Sequence, residues 1–596
     1  MLALFTQPTT PQTGERTVFT TRNNIWKRFA LALLALAVLA PQSRLMAANP
    51  TLWELAEENK DNLRISTLIM PQNVRDYLST EEGLNNAIDW CKKTGVTRVF
   101  LETYRGGYTA ERGTLEQARA RFEAAGIEVS GGVTTTGIGK SSSTGSRGVS
   151  CYTSEETRKE LQNIFEYTAS IFDLIMIDDH FFTDCECEDC QKARGERRWS
   201  EYRSDLMVEV SREYILKPAK AVNPNVKVII KYPLWYDDFH RRGYDVLRQS
   251  ALFDLIWAGT ESRDYDFDVS PRGEVQYQSY FNMRWIGSIG GTKTGGGWFD
   301  PLATTPKTYV EQGRQTVLGE GKEIMLMSYG QLITETNTWG GRAFQGTPIA
   351  NVEAFRRELP GLFELAKMVR NKPIKGILAT KPANSDPYDD FEATTGRKPD
   401  AHIYDIVGML GLPLIPSTGI DTSADAAFFP FQVLKDPTFL EKLRKMLSEG
   451  KPVLITDGLA ERLVNIGKHE NLIVLPVKGD TRSLLKLSRE ELNAIRDKML
   501  EPIGMNFDAP AKVGLYLMGD DIMVIQNFNN EPVDVTMGTS FSMKAQVKLV
   551  LPQEESVRHE LTSDKLVLNI PPRTLVAINY LASSFTPKSI HRREHH

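Results

Sequence analysis

Asp173-Leu174-Ile175-Met176-Ile177-Asp178-Asp179-His180 is a short apolar run closed by two acids and a histidine. A continuous apolar run leaves no solvent face, so a strand built from it must be covered on both sides, as in a parallel sheet. The acids at its C-terminal end would then stand at the rim of that sheet. The same form recurs before it, at Leu63–Ile69, Thr97–Glu102 and Ile127–Val133, and after it, at Val226–Tyr232, Phe253–Ala258, Gly295–Phe299 and Glu323–Ser328. Segments with helix punctuation lie between several of these runs. Ser79 with Glu82 and Thr153 with Glu156 have the spacing of capping boxes, and Gly95 and Gly126 stand where helices should stop. Eight strand–helix units within roughly 300 residues predict a (β/α)8 barrel, assigned to 49–372. The seventh run is the least strand-like, because it begins with three glycines.

The remaining chain changes pattern twice. Ile374–Thr380, Leu412–Ile415, Pro452–Thr456 and Leu472–Val477 read as strands, and a helix opens at Asp436-Pro437 and stops at Gly450. These predict a flavodoxin-like α/β domain over 373–505. From Val513 the alternation has a period of two: Leu515-Tyr516-Leu517, a turn at Gly519-Asp520-Asp521, then Ile522–Gln526, Gln546–Leu551, Leu566–Ile570 and Thr574–Tyr580. That pattern predicts a β-sandwich over 506–584, followed by a solvated tail at 585–596. A chain of 596 residues exceeds one hydrophobic core, so several domains are required. Its 41% hydrophobic and 25% charged content is that of a globular protein. A net charge of −5 with no long basic run argues against a nucleic-acid partner.

The N-terminus carries an address. Lys27 and Arg28 precede the apolar run Phe29–Ala40, and small residues follow at Ala47 and Ala48. This is the order of a secretory signal peptide, taken as 1–48. Its twelve apolar residues fall short of the roughly 20 that span a bilayer. The expected destination is the periplasm or the exterior.

Strand ends at the C-terminal face of a barrel carry its reacting groups. Here they are acidic repeatedly: Glu102, then Asp178 and Asp179, then Glu261 in Thr260-Glu261-Ser262-Arg263, then Asp300. Carboxylates converging on one mouth are what glycoside hydrolysis needs, one to protonate the leaving oxygen and one to attack or to activate water. Each acid also has a simpler reading. Asp178 could cap backbone amides, Glu261 could pair with the neighbouring Arg263, and Asp300 before Pro301 could be a helix N-cap. Aromatic residues gather at the same strand ends, namely Tyr104, Trp235, Tyr236, Trp257, Trp298 and Tyr329. Sugar rings stack on such faces, although Trp257, inside an apolar run, reads as core. Glu102, Tyr104, Trp235, Arg263, Trp298 and Tyr329 are the candidate substrate-binding residues.

Cys185, Cys187 and Cys190 share one loop after the fourth strand, and Cys151 lies in the loop after the third. Neighbouring loops bring four thiols to a spacing that suits a closed, structural tetrahedral zinc site. Disulfides are the alternative that export would permit, although three cysteines so close in sequence pair awkwardly. Cys91, within a helical segment, reads as a buried free thiol.

Ile177-Asp178-Asp179, with this cysteine set behind it, resembles glycoside hydrolase family 42, the β-galactosidase-like enzymes. In that family an Asn-Glu pair ends strand four, the Glu serves as acid/base, and a four-cysteine zinc cluster follows. A flavodoxin-like trimerisation domain and a small β-sandwich trail the barrel. The resemblance implies a glycosidase acting on oligo- or polysaccharide, one structural zinc, no catalytic cofactor and a possible homo-oligomer. Two departures stand out. Asp178-Asp179 replaces Asn-Glu, so Asp179 inherits the acid/base position, and the strand-seven nucleophile position offers Asp300 rather than Glu. An Asp on strand four with an acid on strand six also resembles α-galactosidase-like barrels.

Two other classes remain in view. One is a non-catalytic saccharide-binding protein on a degenerate barrel, kept alive by the Asp at strand four. The other is a metal-dependent deacetylase, for which only His180 and His240 would be ligands near the mouth. Thr136-Gly137-Ile138-Gly139-Lys140-Ser141 lacks the first glycine of a phosphate loop, and no G-x-G-x-x-G opens a helix.

Overall fold

The computed structural model describes residues 49–263, 274–336, 338–339, 342–343, 346–385, 400–463, 466–539, 543–546, 557–562 and 565–582. The expected export signal, the C-terminal tail and most of the strand expected at Gln546–Leu551 lie outside the described residues. Eight parallel strands follow one another in sequence: β1 Arg64–Ile69, β2 Arg98–Arg105, β3 Glu128–Val133, β4 Leu174–Ile177, β5 Lys227–Tyr232, β6 Leu255–Gly259, β7 Thr294–Phe299 and β8 Glu323–Leu326. Each pairs with the next, and β8 returns to β1 with Arg64 opposite Glu323, which closes the barrel. All eight apolar runs are strands of this barrel. No helix among the described residues is long and apolar enough to cross a membrane.

Strand alternation sorts the side chains between the inside of the barrel and its helical coat. Leu68, Phe100, Met176, Ile229, Trp257, Trp298 and Met325 form a separate apolar cluster, one from each of seven strands. Trp257 is core, as its place in an apolar run implies, and its ring meets Phe100 edge-on at 5.5 Å between centroids. The glycines of β7 now have a reason. A Cβ on Gly296 would sit 2.7 Å from the Trp257 indole, and one on Gly297 would sit 2.5 Å from Thr316. The strand is glycine-rich because two neighbours already occupy the space its side chains would take.

Helix punctuation is displaced by one residue at two sites. Thr80, not Ser79, caps the helix Glu81–Thr94 by accepting from the Gly83 amide, and Gly95 ends that helix in the left-handed region at φ 71°. Ser154, not Thr153, precedes the helix Glu155–Ala169. The Thr153 hydroxyl is engaged instead with Cys190 Sγ and the Tyr202 hydroxyl.

A second parallel sheet follows, made of β9 Ile377–Thr380, β10 Leu414–Ser417, β11 Ala427–Phe429, β12 Val453–Thr456 and β13 Leu472–Leu475. Its order β10-β9-β11-β12-β13 is the flavodoxin-like arrangement. β11 has only three residues, too few to carry a periodic signal. The final strands form two antiparallel sheets, one built around the pair Val513–Met518 and Ile522–Asn527, the other around Val533–Thr539 and Lys565–Ile570. The short strand Ile374–Lys375 joins the first of these sheets beside Val513–Met518. The described part of Thr51–His596 belongs to one compact unit, and the largest hydrophobic cluster takes residues from all these layers.

Candidate active site

The pleat that places apolar residues inside the barrel also places the next inward residue of several strands at its mouth. Glu102 of β2, Asp178 just past β4 and Lys231 of β5 thus form a charged layer above the apolar cluster, and all three are buried. Lys231 sits over the Trp298 ring, with Nζ 4.0 Å from the centroid. Its ammonium donates to Asp179 Oδ2 at 2.7 Å and stands 3.7 Å from Asp178 and 3.6 Å from Glu261. Arg105 makes a parallel link: Nε donates to Glu102 at 2.7 Å and Nη2 to Asp178 at 2.9 Å. The Thr134 hydroxyl reaches Asp178 at 3.0 Å. Glu102 and Asp178 are therefore occupied below the surface rather than presented to a ligand.

Asp179 is held differently. Its amide donates to Asp178 Oδ1 at 2.7 Å, and its carbonyl accepts from the Tyr244 hydroxyl at 2.7 Å. The backbone is thus fixed on both sides while the carboxylate projects. Burial would raise its pKa, but the Lys231 ammonium overrides burial and His180 adds to it, so the carboxyl lies well below the usual range. Glu261 has the opposite balance. Burial, only partly offset by Lys231 and reinforced by Asp179, pushes it up to about 8. Its Oε2 is buried without a hydrogen-bond partner, as suits a protonated acid with a proton to donate.

Asp300 is wholly buried. Arg263 forks onto it, with Nε 3.1 and 3.0 Å from its two oxygens, and the Leu302 amide donates to Oδ1 at 3.1 Å. The ion pair expected for Arg263 is real, but its partner is Asp300 rather than Glu261. Both residues are committed to each other in this arrangement.

The aromatic candidates divide. Trp235 is half-buried and packs edge-on against Phe182 at 5.4 Å, with the Arg242 guanidinium over both rings. His180 stacks beside Phe182 and is 41% exposed at its side chain. Together they form a wall on the Asp179 side of the mouth. Tyr104 is buried and donates to the Gly137 carbonyl at 2.8 Å. Trp298 is the floor beneath Lys231. Tyr329 lies between Tyr77 and Trp90, packed edge-on against each, and its burial is that of a core residue. Tyr236 is buried too, its hydroxyl bonded to Asp405. His240 is buried against Ser204, so it does not join His180 as a ligand pair. Arg105 and Lys231 are absent from the sequence reading. The signal for Lys231 was a lysine inside the apolar run Val226–Tyr232, where only a partnered charge can stand.

The four cysteine sulfurs gather as their spacing implies. Sγ of Cys151 lies 3.8 Å from Cys187 and 3.5 Å from Cys190, and Cys187 lies 3.6 Å from Cys190. All four sulfurs fall within 4.8 Å of one another, and none is in a disulfide. A tetrahedron of sulfurs around zinc at about 2.3 Å has edges of roughly 3.8 Å, so the residues fit that ion. The Ser143 amide donates to Cys185 at 3.5 Å and Lys140 Nζ to Cys187 at 3.7 Å, so the sulfurs have polar neighbours around them.

A protein of Saccharolobus solfataricus described as uncharacterized is 26% identical over 446 residues, which cover 69% of each chain. Among solved structures, a family 42 exo-carrageenase from Bacteroides ovatus aligns with a TM-score of 0.48 and 12% identity over 87% of this chain and 80% of its own. A glycoside hydrolase family 5 structure from Bacteroides vulgatus aligns with a TM-score of 0.37 and 8% identity over 87% and 89%. Residues 49–358, more than half of the chain, match the model of the probable glycosyl hydrolase catalytic domain, and the chain belongs to that family.

Proposed function

We propose that this glycosidase works by retention, with Asp179 as nucleophile and Glu261 as acid/base. The observation that carries the reading is the unequal sharing of Lys231: one acid is held ionised at 2.7 Å, and the other is kept protonated by burial at 3.6 Å. The facing oxygens can be no further apart than the sum of those distances, about 6.3 Å. That upper bound falls short of the ~6.5–9.5 Å of inverting enzymes and admits the ~5 Å of retaining ones. Glu261 gives its proton to the glycosidic oxygen as that bond breaks. The Asp179 oxygen forms a bond to the anomeric carbon. Glu261, now a carboxylate, then takes a proton from water, whose oxygen displaces Asp179 and regenerates both groups. The role of Asp179 thereby differs from the acid/base position it inherits by resemblance to family 42.

Trp235, Phe182 and His180 would flank the bound sugar, consistent with an oligo- or polysaccharide substrate. Cys151, Cys185, Cys187 and Cys190 would hold one zinc that ties the loops after β3 and β4 together beside Asp179, a structural contribution with no part in the chemistry. The N-terminal basic and apolar pattern supports export. Assay of the full chain against a panel of aryl glycosides and polysaccharides, with the anomer of the first product read by NMR, tests the reading. Product of inverted configuration removes Asp179 as nucleophile.

A further inference from the structure

After β5 the chain runs through Trp235 and Tyr236 to Asp237, and there it meets a residue from outside the barrel. His402 precedes the helix Ile403–Gly408 of the flavodoxin-like layer and adopts φ 57°, ψ 17°, a left-handed conformation uncommon for a residue with a Cβ. Two contacts hold it there, and a third braces its partner. Its amide donates to Asp237 Oδ2 at 3.1 Å, and its ring Nδ1 lies 3.3 Å from Asp405 Oδ2. The other oxygen of Asp405 accepts from the Tyr236 hydroxyl at 2.7 Å. Asp405 is fully buried, whereas the His402 side chain is 37% exposed. Its side chain makes no capping bond to the helix it precedes, so that position alone does not call for histidine.

The surroundings tie this dyad to the catalytic mouth. Glu274 accepts from the Arg263 amide at 2.8 Å, and its carboxyl feels the charges of Arg263, Asp300 and His402. His402 therefore borders the quadrant between β5 and β6, from which Lys231 and Glu261 come. With Nδ1 committed to Asp405, the ring has a fixed orientation and one remaining hydrogen-bonding atom, Nε2. A sugar hydroxyl can donate or accept, so it suits Nε2 in either protonation state.

We infer that His402 is a substrate-binding residue of the glycosidase mouth, its Nε2 hydrogen-bonded to a hydroxyl of the bound sugar and its ring oriented by Asp405. The flavodoxin-like layer would then complete the sugar site within the same chain. This inference rests on the glycosidase reading above.

Full-length enzyme is assayed on the aryl glycoside that the wild type hydrolyses, as wild type, His402→Ala and His402→Gln. The expected result is a KM raised about tenfold or more in His402→Ala with kcat within about threefold, and substantial recovery in His402→Gln. In parallel, wild-type enzyme is treated with diethyl pyrocarbonate with and without the monosaccharide product, and modified peptides are read by mass spectrometry. The sugar should protect His402 and leave the exposed His559 unprotected. This arm holds even if His402→Ala fails to fold. Turnover by the wild type with no protection of His402, or with an unchanged KM in a folded His402→Ala, overturns the inference alone. Absence of any turnover or protection in the wild type overturns the glycosidase reading together with it.

Discussion

Lys231 Nζ donates to Asp179 Oδ2 at 2.7 Å across adjacent barrel strands, with Ile177 of β4 opposite Ile230 of β5 in the ladder that sets this register. A one-residue slip of β5 would turn Lys231 toward the helical coat and take its ammonium away from Asp179 and Glu261. The same ammonium stands farther from Glu261, and this inequality separates the two acids chemically.

Asp179→Asn and Glu261→Gln should each lower kcat by about 10³-fold or more while leaving the melting temperature within a few degrees. The two variants should differ on an aryl glycoside with an activated leaving group. Such a group departs without a proton, so Glu261→Gln regains much of its first-step rate and Asp179→Asn does not. Steady-state and burst kinetics on two leaving groups check this. Wild-type turnover by either variant removes that residue from the chemistry.

The pH profile follows from the direction of each shift. Glu261 must carry its proton to act as the acid, and burial raises it to about 8, so activity should persist through neutrality and fall as pH rises through that value. Asp179 is held far below its ordinary range, so no acid limb should appear above pH ~4. Lys231→Met removes the charge that holds Asp179 ionised. An acid limb should then emerge between pH ~4 and ~7, with kcat/KM down by at least about 10²-fold at pH 5. A profile of kcat/KM from pH 4 to 10 for both proteins decides it, and a Lys231→Met variant with the wild-type profile would contradict the proposed electrostatics.

Metal analysis of the purified chain should find about one zinc per molecule. Chelation or Cys151→Ser should lower the melting temperature by several degrees, since a bound ion would tie the loops after β3 and β4 together. A Cys151 disulfide found by peptide mapping, with no metal bound, would instead favour the pairing that an oxidising compartment permits.

Arg263→Met should cost roughly 3–5 kcal/mol, because it leaves Asp300 buried without its cation. The double variant Arg263→Met with Asp300→Leu should recover a large part of that loss in denaturant titrations. A single variant as stable as the wild type would mean that the buried pair adds nothing.

The barrel was legible because each strand needs only a short apolar run, and eight of these recur from Leu63 to Ser328 with polar segments between them. The cysteine cluster was legible for a related reason: neighbouring barrel loops approach each other wherever the strands on which they stand are paired. Strand ends located the acids, and thereby Asp179 and Glu261. What each acid does was not legible, since Asp178 and Asp179 are adjacent and chemically identical in sequence. Only the tertiary structure separates them. The pleat turns Asp178 inward to Arg105 and Thr134, and leaves Asp179 projecting toward Lys231. Asp300 and Glu261 were equally ambiguous, and Arg263, one turn of chain from Glu261, chose the distant partner because β7 brings Asp300 to its fork. His402, 141 positions beyond Glu261, reaches the same mouth by way of a different sheet. Periodicity along the chain records which residues are covered; which charge faces which is set by strand register and layer packing, quantities that no local window contains.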